Sequence, residues 1–419
     1  MNGAPVDGGE CLPTAAYAMA LAHLPGVGPA WLTAAMERYG PEEAWQRVRS
    51  GDLARPPAPG SRGRRRPGLA GRATAAASAA REEWAPWAAR FDIAGRWRQC
   101  LESAISVLWL GGPGYPAALV PRPSPAGVLF VAGSSAAVGV RPAVAIIGTR
   151  DCTPEGAAVA FELAYELALR GVEVVSGLAL GIDGAAHAGV VTACREAPSA
   201  SPTVGIAASG VDVVYPSRHA GLWREVTRTG AIVSEAPPGS PAQSWRFPSR
   251  NRVIAGLVNA VIVVECHARG GSWHTVNTAL REGTEVGVVP GSVRNPAAFG
   301  TNLLLSEGAT LIRNTEDVLV MLDRIAARVE GRGVADDAPE GAGQRLAFGP
   351  PPETTPKHEL SESLGPVERH VLAALSGRPM CFDDIVERSG LPPAAAVVAL
   401  EHLVERGTAA EEGGWWTRM

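Results

Sequence analysis

From residue 143 the chain alternates between two patterns. Short, near-continuous apolar runs occupy 143–147, 172–175, 203–207, 231–233, 260–265, 285–289 and 309–312. Between most of them apolar positions recur at helical spacing, as at 154–170 and 272–282. Runs apolar throughout, rather than at every second residue, predict strands buried on both faces. Joined by helical crossovers, they predict a largely parallel sheet that takes its ligands beyond the carboxyl ends of its strands. Ahead of the sheet, residues 14–50 carry a helical pattern broken at Leu24-Pro25-Gly26-Val27-Gly28-Pro29. Glycine tolerates the positive φ of a tight turn, and amides opening the second helix can face a phosphate. The segment reads as a helix-hairpin-helix, used either for phosphate contact or for packing alone. Behind the sheet, helical patterns near 366–376, 382–389 and 393–406 precede Gly413-Gly414-Trp415-Trp416. Three helices and a short ribbon describe a winged helix.

The expected organisation is therefore α/β, with an extended Rossmann-like domain over 105–325. A helical helix-hairpin-helix (SAM-like) domain over 1–100 precedes it, and a winged-helix domain over 365–419 follows. Residues 51–80, with Arg62, Arg64, Arg65 and Arg66, are an Arg/Pro/Gly-rich insert, and 326–364 a flexible linker; Pro and Gly at such density resist regular structure. The insert is a tolerated loop or a source of nonspecific DNA affinity. A length of 419 residues, 46% of them apolar, suits two to three domains. Net charge is only −4, so any polyanion site is a local patch. Lys357 is the sole lysine, which excludes a Walker phosphate loop and a Schiff-base lysine in the first 350 residues. Six scattered cysteines without a C-x-x-C pair suggest neither a zinc site nor a disulfide framework. The first 25 residues lack a basic leader and no apolar run is long enough to span a bilayer. The expectation is a cytoplasmic protein without cofactor or membrane attachment.

The most informative stretch is Ser244-Trp245-Arg246-Phe247-Pro248-Ser249-Arg250-Asn251-Arg252. Guanidinium groups pair with phosphates at two points, and a neighbouring ring offers a base a stacking surface. The pattern is that of a loop for single-stranded nucleic acid. Several strands end in Gly-rich turns that admit a ligand close to the backbone: Gly148-Thr149-Arg150, Ser176-Gly177 through Gly181, Arg269-Gly270-Gly271-Ser272, and Gly300-Thr301-Asn302. Together with Arg150, Arg250 and Arg252 they predict one anion-binding rim. Thr153-Pro154 predicts an N-cap and first helical residue. Asp183 and His187 read as a capping acid and a packed histidine before a catalytic pair, and Glu265 as the anchor of an arginine.

In order along the chain, Gly148-Thr149-Arg150, Ser176-Gly177-Leu178-Ala179 with Gly181-Ile182-Asp183 and Ala186-His187, Tyr215-Pro216, Ser234-Glu235, Phe247-Pro248 with Arg250-Asn251-Arg252, Val289-Pro290-Gly291, and Gly300-Thr301-Asn302 resemble the DNA-processing protein A family (DprA, also called Smf). Gly114-Tyr115-Pro116 with Leu119, Pro125 and Leu129-Phe130 resembles its lead-in segment. The resemblance spans about residues 105–325. It implies a non-enzymatic single-stranded DNA binder and homodimer that protects incoming strands and helps load the RecA recombinase, in natural transformation or general recombination. It carries the DNA site onto Arg150, Arg246, Phe247, Arg250, Asn251 and Arg252. Gly148, Thr149, Ser176, Gly177, Gly181, Gly270, Gly271, Ser272, Thr301 and Asn302 shape the rest of it. Leu180 and Ser249 stand where the family commonly has cations, a loss of about 1–2 kcal/mol in binding.

Two other classes compete. A Rossmann-like enzyme or sensor for a nucleotide derivative explains the Gly-rich turns but leaves Phe247 unused. A protein-interaction scaffold suits the tail: residues 365–419 hold eight acidic residues against five arginines, a poor balance for a helix reading duplex DNA.

Overall fold

The computed structural model describes residues 12–53, 84–139, 142–268 and 270–331, and then 365–375, 380–391, 393–406, 408–412 and 415–418. These fall into two compact units, divided after Ala326. The Arg-rich cluster at 62–66, Arg269 and most of the expected linker lie outside the described residues.

The first unit is organised by a nine-stranded sheet of order β1-β2-β6-β5-β4-β3-β7-β8-β9. The seven expected strands are present as β3 (Ala143–Ile147), β4 (Glu173–Ser176), β5 (Thr203–Ile206), β6 (Ala231–Ser234), β7 (Ala260–Val263), β8 (Glu285–Val288) and β9 (Thr310–Leu311), all paired in parallel. Two further strands, β1 (Ile105–Trp109) and β2 (Val128–Gly133), pair antiparallel with each other, and β2 pairs antiparallel with β6.

The strands bury alternate residues on opposite faces, as the two-residue period requires. Ala143, Ala145, Ile147, Val261 and Val263 face one layer, with α7 (Arg246–Leu257), α8 (Ser272–Arg281) and α9 (Phe299–Ser306). Val144, Ile146, Val174 and Ile262 face the other, under α4 (Pro154–Leu169), α5 (Ile182–Glu196) and α10 (Thr315–Gly331). Farther along that second face, Val107, Phe130 and Ile232 join the core of the N-terminal helices and α6 (Ala220–Thr229).

Those helices are α1 (Thr14–Ala22), α2 (Pro29–Arg49) and α3 (Ile93–Glu102). The expected hairpin is there. Gly26 takes φ 67°, Gly28 is the N-cap of α2, and Pro29 opens that helix. Tyr17, Met19, Leu21, Trp31 and Trp45 are buried, so the hairpin has a packing role whatever else its turn does.

The second unit holds α11 (Pro366–Ala374), α12 (Phe382–Ser389) and α13 (Pro393–Glu405). A three-stranded sheet of order β10-β12-β11, with β10 (Met380–Cys381), β11 (Ala409–Glu412) and β12 (Trp415–Arg418), completes the winged helix. Val371, Leu375, Ile385, Leu400 and Leu403 form its core.

Candidate nucleic-acid interface

The chain builds from β3 through β4 and β5 to β6 on one side, then returns to place β7 on the other side of β3. That reversal is a topological switch point, where open α/β sheets bind ligands. The turns there are laced together. Thr149 N–H donates to the Glu265 carbonyl at 2.8 Å, and Ile182 N–H to the Thr149 carbonyl at 3.3 Å. Gly181, at φ 77°, makes the second contact possible: a Cβ there would fall 2.3 Å from the Thr149 oxygen. Thr153 caps α4 through Gly156 N–H, as expected from sequence. Among the described residues no arginine pairs with Glu265. Its carboxylate accepts from Thr153 N–H at 2.8 Å and Thr153 Oγ1 at 2.6 Å, locking the cap to the end of β7.

Arg150 projects from this braced turn. Its side chain is exposed, and among the described residues no carboxylate pairs with it. The guanidinium lies 5.2 Å from the centroid of the Phe247 ring. The Tyr215 ring stands 5.6 Å from the same ring and is 45% exposed. Trp245, 52% exposed, carries the Arg246 guanidinium 5.0 Å from its centroid. Two arginines and three rings therefore share one accessible rim. Tyr215 and Trp245 were not among the residues singled out from sequence; both stand in the motifs quoted above, next to Pro216 and Arg246.

The segment expected as a loop opens α7 and forms about its first two turns. Pro248 fits there because the opening amides of a helix have no intrahelical partner. Helical geometry turns the second half of the motif inward. Arg250 is only 8% exposed, and its Nη1 donates to the carbonyls of Gly177 and Ile206, each at 2.5 Å, while Nε donates to Asn251 Oδ1 at 3.1 Å. Gly177 is required beneath it, since a Cβ would sit 2.5 Å from Nη1. Asp183 is buried opposite. Burial pulls the Arg250 guanidinium down to about 10, against the attraction of Asp183, so it stays charged at neutral pH. Burial pushes the Asp183 carboxyl up, opposed first by Arg250 and then by backbone amides. Arg252 is also engaged, with the Ser124 carbonyl and the Glu235 carboxylate. Arg250 and Arg252 thus hold β4, β5 and the lead-in segment together, rather than standing free on the rim.

The remaining expected residues divide similarly. Ser176 is buried and donates to the Ile146 carbonyl at 2.6 Å, and Thr301 is buried and donates to the Ala298 carbonyl at 3.1 Å. Asn302 brackets the Gly291 backbone, accepting from its N–H and donating to its carbonyl. Gly148 lies under Ile182, while Gly270 and Gly271 are exposed ahead of α8. Ser272, half-buried at the start of α8, lies near the Cys266 thiol, which donates to the His267 carbonyl at 3.4 Å and which burial pushes up to about 12. Asp183 does not cap α5, whose N-cap is Gly181; it bonds back to Ala179 N–H at 3.4 Å. His187 is the packed histidine expected: it is wholly buried, meets Thr203 Oγ1 at 2.8 Å, and burial drives it down to about 3. Among the described residues no group of three or more His, Cys, Asp or Glu is placed to hold a metal ion.

Known proteins resemble this chain. Residues 106–323 match the family described as DNA recombination-mediator protein A, and residues 351–403 the DprA winged helix domain. The chain is 36% identical over 217 residues to the DNA processing protein DprA of Bacillus subtilis, covering 52% of this chain and 71% of that one. It is 32% identical over 333 residues to Protein Smf of Escherichia coli, covering 77% and 82%. The solved structure of DNA processing protein A from Streptococcus pneumoniae aligns with a TM-score of 0.56 at 25% identity, over 74% of this chain and 98% of that one. With the fold, the braced turns and these relatives in agreement, the chain belongs to the DNA recombination-mediator protein A (DprA/Smf) family.

Proposed function

We propose that this DNA-processing protein binds single-stranded DNA at the rim formed by Arg150, Arg246 and Phe247, joined by Tyr215 and Trp245. The carrying observation is the exposed Arg150 guanidinium beside the half-buried Phe247 ring, at a sheet's switch point. A cation and a π-face side by side suit a phosphate followed by an unpaired base. A base locked in a duplex offers no free face to Phe247, so the site favours single strands. The protein acts stoichiometrically, in the cytoplasm, as a homodimer. It shields incoming strands and helps load the RecA recombinase on them during natural transformation or general recombination. Gly148, Thr149 and Gly181 contribute by fixing the turn that presents Arg150, and Gly177 by leaving room for Arg250.

Fluorescence anisotropy with labelled oligo-dT, competed by unlabelled duplex, tests the reading. Phe247→Ala should lose about 1–3 kcal/mol, the worth of one base stack. Arg150→Ala should weaken binding about tenfold and flatten the salt dependence by roughly 0.7 in log–log slope. Equal affinity for duplex, or affinity unmoved in both variants, would sink it.

A further inference from the structure

The rim does not end at Trp245. Beside it opens a cleft of about 620 Å³ between the hairpin turn of the N-terminal helices and the carboxyl ends of β5 and β6. This lies within the ~300–1,000 Å³ of small-ligand sites. Gly26 and Val27 form one wall, and Ile206, Ala207 and Pro237 the other. Three guanidiniums line it, from Arg96, Arg246 and Arg250. The one carboxylate in the lining, Glu235, is tied to Arg252. Arg250 is buried and spent on two carbonyls, whereas Arg246 makes one long, exposed bond to the Pro241 carbonyl at 3.4 Å, so Arg96 and Arg246 are the more accessible cations. Arg96 is exposed, and among the described residues its side chain bonds only to Gln99 Oε1, at 3.1 Å.

Arg96 also borders a second, shallower groove on the helical module, with Arg90, Trp87 and Phe91. There Trp87 stacks on Phe91 at 4.5 Å, and Phe91 reaches His23 of the first cleft at 5.4 Å. Trp245, Arg246 and Arg96 all line the first cleft, and Arg96 with Arg90 lines the second, so arginines and rings border both. The hairpin, read from sequence as packing or phosphate contact, stands along this track.

We propose that the single strand runs on from Phe247 past Trp245, seats a nucleotide in the cleft, and crosses Arg96 onto the helical module, making that module a second DNA-contacting surface. The proposal rests on the single-strand reading above and adds the strand's direction and length. Charge selects the occupant, because the free side chains of the cleft are cationic and its walls apolar, matching phosphate and base.

The test is a length series of oligo-dT, from about 4 to about 16 nucleotides, on the full chain and on Arg96→Glu, Arg96→Lys and Arg150→Ala. Wild type should gain affinity with length. Arg96→Glu should lose that gain, about tenfold on the longest oligomer, and Arg96→Lys should keep most of it. Arg150→Ala should weaken every length alike. A length dependence in Arg96→Glu equal to that of wild type overturns the extended track while leaving the rim intact. Loss of the gain on adding free thymidine monophosphate overturns it in favour of a free-nucleotide site. If wild type fails to bind, or Arg150→Ala equals wild type at every length, the rim reading fails and the track with it.

Discussion

Arg150 and Arg250 carry the same side chain to opposite purposes. Arg150 stands in solvent beside a ring, whereas Arg250 spans two strand-end carbonyls and faces a buried carboxylate. Removing one partner of a buried charge pair leaves the other uncompensated, at a cost of roughly 3–5 kcal/mol. Arg250→Ala should therefore lower the urea midpoint sharply, and any lost DNA binding in it would report a loosened fold. The pH dependence distinguishes this from a surface effect. Burial already raises the Asp183 carboxyl, and Arg250 is the first influence opposing that rise. Without Arg250, folded Asp183 binds a proton more readily than the unfolded chain does. A group raised in the folded state makes stability fall as pH rises. The deficit of Arg250→Ala relative to wild type should be largest near neutral pH and shrink toward pH ~5. A deficit constant across that range would mean that Asp183 is not the group left unpaired.

At the level of elements, Thr153 joins α4 to β7 through two hydrogen bonds to Glu265 and one to its own helix. Thr153→Ala should cost about 1–2 kcal/mol, the value of a good cap. Combined with Glu265→Gln the losses should fall short of their sum, because both act on one network; full additivity by denaturation would contradict the shared lock. This cap was legible because Thr-Pro before an apolar helical run has a local cause. The seven parallel strands were legible for the same reason, each lying in a short, near-continuous apolar run. Helix α7 was not, since Pro248 and three arginines mimic a loop, and only the burial of Arg250, Asn251 and Ile254 at helical spacing reveals it. Strands β1 and β2 were missed because their pairing is nonlocal: Phe130 lies opposite Ser234, a register fixed by the sheet and not by neighbours in sequence. The intramolecular bonds of some expected site residues were hidden for a related reason. Arg252 and Ser176 carry polar groups that sequence cannot sort into ligand-facing and strand-bracing, because their partners, Glu235 and Ile146, are distant in the chain.

Over the whole molecule, a net charge of −4 coexists with a basic rim because the acidic residues are distributed elsewhere. The winged helix holds a surplus of them, eight against five arginines across 365–419, and some are already engaged: Glu368 accepts from Gly365 N–H and pairs with His402. Duplex affinity is driven by cations that displace counterions, and this module has few to offer. Any exposed charge on it is also screened within about 8 Å at physiological salt. Both considerations predict that ending the chain after Gly331 leaves single-strand affinity within about threefold of the full chain, under 1 kcal/mol, with the salt dependence unchanged because no phosphate contact is lost. Light scattering on the same pair separates the other role open to the module: a truncated chain that still binds oligo-dT but has become monomeric would assign the winged helix to assembly. A drop of tenfold or more in affinity, with the dimer retained, would instead place a DNA contact on the module despite its charge.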